Sequence, residues 1–118
     1  MRMFAKLFGK PAAPPPKPLN HAVLVKFDYI GSTDLTLLFE LETKLQAAID
    51  AAKVGELDGN EVAADGSDGT LYMYGPDADR LFDIVKPVLE RCSFMRGARI
   101  TLRYGSPGAR QHQLVLGS

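Results

Sequence analysis

The chain has 118 residues, enough for one domain with a real core and too few for two. Apolar residues make up 46% and charged ones 24%, as in ordinary globular proteins, and no apolar run reaches the ~20 residues of a membrane span. A single cysteine, Cys92, excludes an internal disulfide, and the formal net charge is zero.

That zero hides a segregation. Arg2, Lys6, Lys10 and Lys17 stand before residue 21 without an acid. From Arg91 onward there are Arg91, Arg96, Arg99, Arg103 and Arg110, again without an acid. All fourteen acids lie between residues 21 and 90, against five bases there. An acidic middle and two basic ends either mark an anionic partner or neutralise one another across the fold, and mixed-sign surfaces favour the second reading.

Met1–Lys10 is basic and apolar, with Met3, Phe4, Leu7 and Phe8 on one side of a helical turn. Five prolines between residues 11 and 18 then impose an extended spacer. Residues 1–20 are therefore expected to be a flexible tail, and 21–118 a single domain. Phe4, Leu7 and Phe8, flanked by the basic residues, suit weak contact with an anionic membrane surface. A secretory signal is not expected, because Phe4–Phe8 is short and Lys6 interrupts it. The expected location is the cytoplasm, with that tail as the one peripheral link to the inner membrane.

Ala22–Ile30 alternates as a strand. Asp34–Val54 has helical spacing through Leu35, Leu38, either Leu41 or Glu42, Leu45, Ile49 and Ala52, with Ser32, Thr33 or Asp34 as candidate caps and Gly55 as exit. Glu61–Ala64 and Thr70–Tyr74 read as short strands around the turn-rich run Asp65–Gly69. Pro76–Cys92 is helical, with Asp77 and Asp79 complementing its positive end and Pro87 removing one internal bond. Its apolar stripe runs from Ala78 to Cys92. Ala98–Tyr104 alternates, and Gln111–Leu116 can add a fifth, edge strand.

The order β-α-β-β-α-β predicts an α+β fold of ferredoxin-like plan: an antiparallel sheet with two helices on one face. Alternation then assigns the faces. The aliphatic positions turn to the helices. Lys26, Tyr72, Tyr74, Arg99 and Arg103 turn the other way, to an open face. The pieces GELDGNEV, DGTLYMYGPDADRLF, KPVLE and GARITLRYG, between Gly55 and Tyr104, resemble a group of small uncharacterised bacterial proteins. That resemblance implies the same plan and carries no activity, cofactor or ligand.

Chemistry-bearing patterns are sparse. His21, Cys92 and His112 do not form a nucleophile set by spacing, and Cys92 on a helix stripe reads as a core residue. The acids around Asp58, Asp65 and Asp68 lack the spacing of a calcium loop and are typical of a hairpin turn. No phosphate-cradling glycine motif occurs. The reading leans against an enzyme, with no catalytic residue, metal or cofactor assigned. The expected function is a non-catalytic interaction module, binding a protein partner or itself as a homodimer through Lys26, Tyr72, Tyr74, Arg99 and Arg103, since Tyr and Arg are enriched in interfaces. Two alternatives belong to other classes. One is an enzyme or small-ligand protein with a pocket completed by a second subunit. The other is an RNA-binding module stacking bases on the sheet tyrosines, disfavoured by the missing signature run and the acidic hairpin.

Overall fold

From Val23 onward β1 (His21–Asp28) alternates buried residues with more exposed ones because it runs through the middle of a sheet covered on one side. The computed structural model describes residues 19–29 and 35–117. After β1 come α1 (Thr36–Ala52), β2 (Glu56–Val62), β3 (Asp68–Gly75), α2 (Ala78–Glu90), a short 3-10 turn (Ser93–Met95), β4 (Arg99–Arg103) and β5 (Gln111–Val115). The tail residues Phe4, Leu7 and Phe8, and the candidate caps Ser32, Thr33 and Asp34, lie outside the described residues.

The fold is α+β, two helices and a five-stranded antiparallel sheet in the order β2-β3-β1-β4-β5. The fifth strand anticipated at Gln111 is present. β1 pairs with β3 on one side and β4 on the other, so Val23, Val25 and Phe27 share a face with Leu71, Met73, Ile100 and Leu102. All seven are buried, packed against Leu38, Leu41, Leu45 and Ile49 of α1 and Leu81, Val85 and Leu89 of α2. Phe94, on the 3-10 turn, closes one end of this core, its ring 5.0 Å from Tyr29 and 5.7 Å from Phe27.

Several boundaries depart from the sequence reading. β2 starts at Glu56 rather than Glu61. Its first half, ELDGN, has a turn-like composition, but β3 offers it a free edge and a bulge between Leu57 and Gly59 absorbs the misfit. α1 ends before Gly55. Lys53 takes the left-handed conformation at φ 55°, Val54 N–H donates to Ile49 O and Lys53 N–H to Asp50 O, each at 3.3 Å. This is a Schellman closure with buried Val54 against Ile49 as its apolar contact. Gly55 serves a different purpose: φ is 150°, and a Cβ there would stand 2.1 Å from the Tyr74 carbonyl oxygen. α2 ends at Glu90, so Cys92 lies beyond the helix, half-buried, and not on its stripe. At the other end Asp77 is the cap, its Oδ1 accepting from Arg80 N–H at 3.2 Å, with Pro76 outside the helix.

Candidate interaction surface

Both helices lie on one side, so the other side of the sheet carries the side chains that β-alternation turns away from the core. The register sets them in rows. Glu56, Tyr74, Ala22, Arg103 and Gln111 form one row across the five strands. Gly59, Tyr72, Leu24, Thr101 and Gln113 form the next, and Glu61, Thr70, Lys26, Arg99 and Val115 the third. The five expected residues Lys26, Tyr72, Tyr74, Arg99 and Arg103 therefore share one face of three adjacent strands. Charge is graded across it, from acids on β2 to bases on β1 and β4.

Several of these side chains also serve the fold. Tyr72 donates its hydroxyl to Glu61 Oε1, tying β3 to β2. Arg103 donates from Nε to Gly105 O at 2.7 Å and from Nη2 to Asn20 O at 3.3 Å, which holds the β4 exit against the start of β1. Arg99 faces Asp28 at 3.6 Å; with side chains 52% and 77% exposed, that pair contributes little to stability. Lys26 is exposed, while Tyr72, Tyr74 and Arg103 are half-buried.

Between β1, β4 and β5 the face dips into an open depression of about 530 Å³, lined by Leu24, Lys26, Thr70, Arg99, Thr101, Gln113 and Val115. Gln113 and Val115 were not assigned to the site from sequence. Their signal is the alternation of β5, which adds Gln111, Gln113 and Val115 to the same face once β5 pairs with β4. Val115 is 64% exposed, the most exposed large apolar side chain among the described residues.

Other places offer less chemistry. A groove of about 540 Å³ between α1 and the end of α2 is lined by Leu37, Lys44, Arg91, Cys92 and Phe94. Burial pushes the Cys92 thiol up, against the direction a nucleophilic thiolate requires. A third groove, about 480 Å³, runs between Phe39 and Thr43 of α1 and Leu57 of β2.

His21 accepts the Ala78 N–H on Nδ1 at 3.1 Å, edge-on to Tyr104, whose hydroxyl donates to Asp79 at 2.6 Å. Arg110 stacks over the Tyr104 ring at 4.5 Å, and the bond to Asp79 raises the Tyr104 pKa. This cluster fastens the first turn of α2 to β1 and to the β4–β5 connection.

In the hairpin, Asp65 Oδ1 accepts Ser67 N–H at 2.9 Å, and the bonding with Ser67 holds its carboxyl below the usual range. That is a turn-forming role. Among the described residues no three His, Cys, Asp or Glu side chains converge as a metal site, and no helix is long and apolar enough to cross a membrane. Comparison with protein families, with curated proteins and with solved structures gave no match.

Proposed function

We propose that the protein is a non-catalytic interaction module that engages a protein partner through the open face of its sheet, with Lys26, Tyr72, Tyr74 and Arg99 as the contacting side chains. One observation carries this reading: the register sets these residues side by side on the face opposite both helices, with Lys26 and Arg99 lining an open depression there. Aromatic rings and arginine are the residue types that supply most binding energy in interfaces. Arg103 has a smaller part, because its guanidinium is committed to two backbone carbonyls.

The plan of the fold is read as ferredoxin-like. Its support is that β1 lies between β3 and β4 with β2 outside β3, so the β1-α1-β2 and β3-α2-β4 units interleave. In this reading residues 21–118 form the module and residues 1–20 its tail. Acids on β2 beside the basic positions weigh against nucleic acid as the partner, since phosphate binding needs clustered bases.

The test is partner capture from the native cell by the wild type, by Tyr74→Ala, by Lys26→Glu and by Lys86→Ala on the exposed side of α2. Loss of the same captured protein in both sheet variants, with Lys86→Ala unchanged, is the expected result. Capture by folded sheet variants equal to that by Lys86→Ala refutes the assignment.

A further inference from the structure

The two edges of the sheet are not alike. β2 carries Glu56, Asp58 and Glu61 and is broken by a bulge, the devices by which sheets refuse a further strand. β5 has the sequence QHQLV, without an acid, lysine, arginine or proline, and pairs with β4 without a register shift. Among the described residues, β4 is the only strand β5 pairs with.

The bonding fixes which backbone groups of β5 point outward. Tyr104 N–H donates to Arg110 O at 2.9 Å and Leu116 N–H to Ala98 O at 2.8 Å. In an antiparallel ladder, bonded and non-bonded pairs alternate, so Arg110, His112, Leu114 and Leu116 turn their peptide groups to β4. Gln111, Gln113 and Val115 therefore turn theirs to the outer edge. Three N–H and three C=O groups line that edge, on a straight, uncharged strand.

We propose that this edge pairs antiparallel with β5 of a second copy of the chain about a two-fold axis at Gln113. That centre sets Gln113 opposite Gln113 and Gln111 opposite Val115, and satisfies all six groups with six bonds. Any strand is complementary to itself when antiparallel. What favours self-pairing here is that an uncharged strand meets its own copy without like-charge repulsion, whereas an acidic β2 would repel a second β2. Pairing also covers part of Val115 beside Gln111 of the other copy. The five-stranded sheet becomes one continuous sheet of twice the width, with both open faces on the same side. Six backbone bonds and this modest apolar cover correspond to a dimer of roughly micromolar strength. The proposal does not rest on the open face. A dimer held by β5 stands whether or not that face binds a partner.

Light scattering on the full chain across a concentration series is expected to show the mass rise from 12.9 kDa to twice that value. Hydrogen exchange reports the register. The amides of Gln111, Gln113 and Val115 exchange fast in dilute protein and slowly in the dimer, while those of His112 and Leu114 are slow in both. Gln113→Pro removes two outward donors per dimer and no bond to β4, which weakens association by roughly thirtyfold. Gln113→Lys places two like charges on the axis and gives the same loss without a backbone change. Both remain folded by circular dichroism; if the proline variant unfolds, the lysine variant and the exchange pattern decide.

Monomer at every concentration overturns the proposal. So does a dimer that ignores both variants, or one broken by Tyr74→Ala and Arg99→Glu, which would assign the contact to the open face. Slow exchange at the three outward amides in a monomer would also overturn it, by giving the edge to the chain's own first eighteen residues.

Discussion

The most informative perturbation is Asn60→Leu, because it leaves a buried acid without its partner. Asn60 on β2 is fully buried and Glu42 on α1 is 7% exposed, and Asn60 Nδ2 donates to Glu42 Oε2 at 2.9 Å. Burial raises the Glu42 pKa, and the Asn60 bond works against that rise by favouring the charged form. Leucine keeps the branched four-atom skeleton of asparagine but ends in bulkier methyl groups, so it adds a packing cost that is the same at every pH, and the lost bond is read from the part that varies with pH. A hydrogen bond to a charged group is worth roughly 1.5–3 kcal/mol, so the variant is expected to lose about 2–3 kcal/mol at neutral pH.

The pH dependence supplies a second reading. In the wild type the native state holds the Glu42 proton more tightly than the unfolded chain does. Its contribution to stability is therefore fully present below the ordinary glutamate value and is lost as pH rises through the raised native value. Removing the Asn60 donor enlarges that loss, so the cost of Asn60→Leu grows from acid to neutral pH. Glu42→Gln keeps an oxygen acceptor and removes the charge, so it flattens the profile and is neutral or stabilising at neutral pH. Urea unfolding followed by circular dichroism between about pH 4 and pH 8 measures both effects. A cost for Asn60→Leu below about 0.5 kcal/mol, or one equal at both ends of that range, refutes the reasoning.

Two further variants test the boundaries of α1. Lys53→Gly relieves a left-handed residue at φ 55° and is expected to add about 0.5–1 kcal/mol in the same unfolding assay; no gain would mean that the lysine stem compensates the strain. Gly55→Ala forces a Cβ to within 2.1 Å of the Tyr74 carbonyl at a φ of 150° and is expected to cost at least about 3 kcal/mol, whereas a near-neutral result would show that the β2–β3 crossing yields easily.

The order of elements and the identity of the open-face residues were legible in the sequence because both rest on local periodicity. The alternation of Val23, Val25 and Phe27 against Leu24, Lys26 and Asp28 fixes two faces of β1 whatever its neighbours are, and the burial pattern follows it residue by residue. The apolar spacing from Leu38 to Ile49 likewise names the buried side of α1 before any partner is known. These are properties of one segment in one conformation.

What the tertiary structure alone decided depends on segments distant in the chain. Glu56–Asn60 is a strand because β3 presents an edge and a bulge takes up Asp58; nothing in ELDGN asks for extended pairing by itself. Lys53 rather than Gly55 closes α1, because Gly55 is needed where the Tyr74 carbonyl approaches the backbone. Cys92 leaves the helix stripe because α2 stops at Glu90, and Phe94, just beyond it, is held in the aromatic cluster with Phe27 and Tyr29. The outward peptide groups of β5 follow from which of its residues bond to β4, and no local pattern contains that phase. Periodicity gives each strand two faces; only pairing gives it an edge.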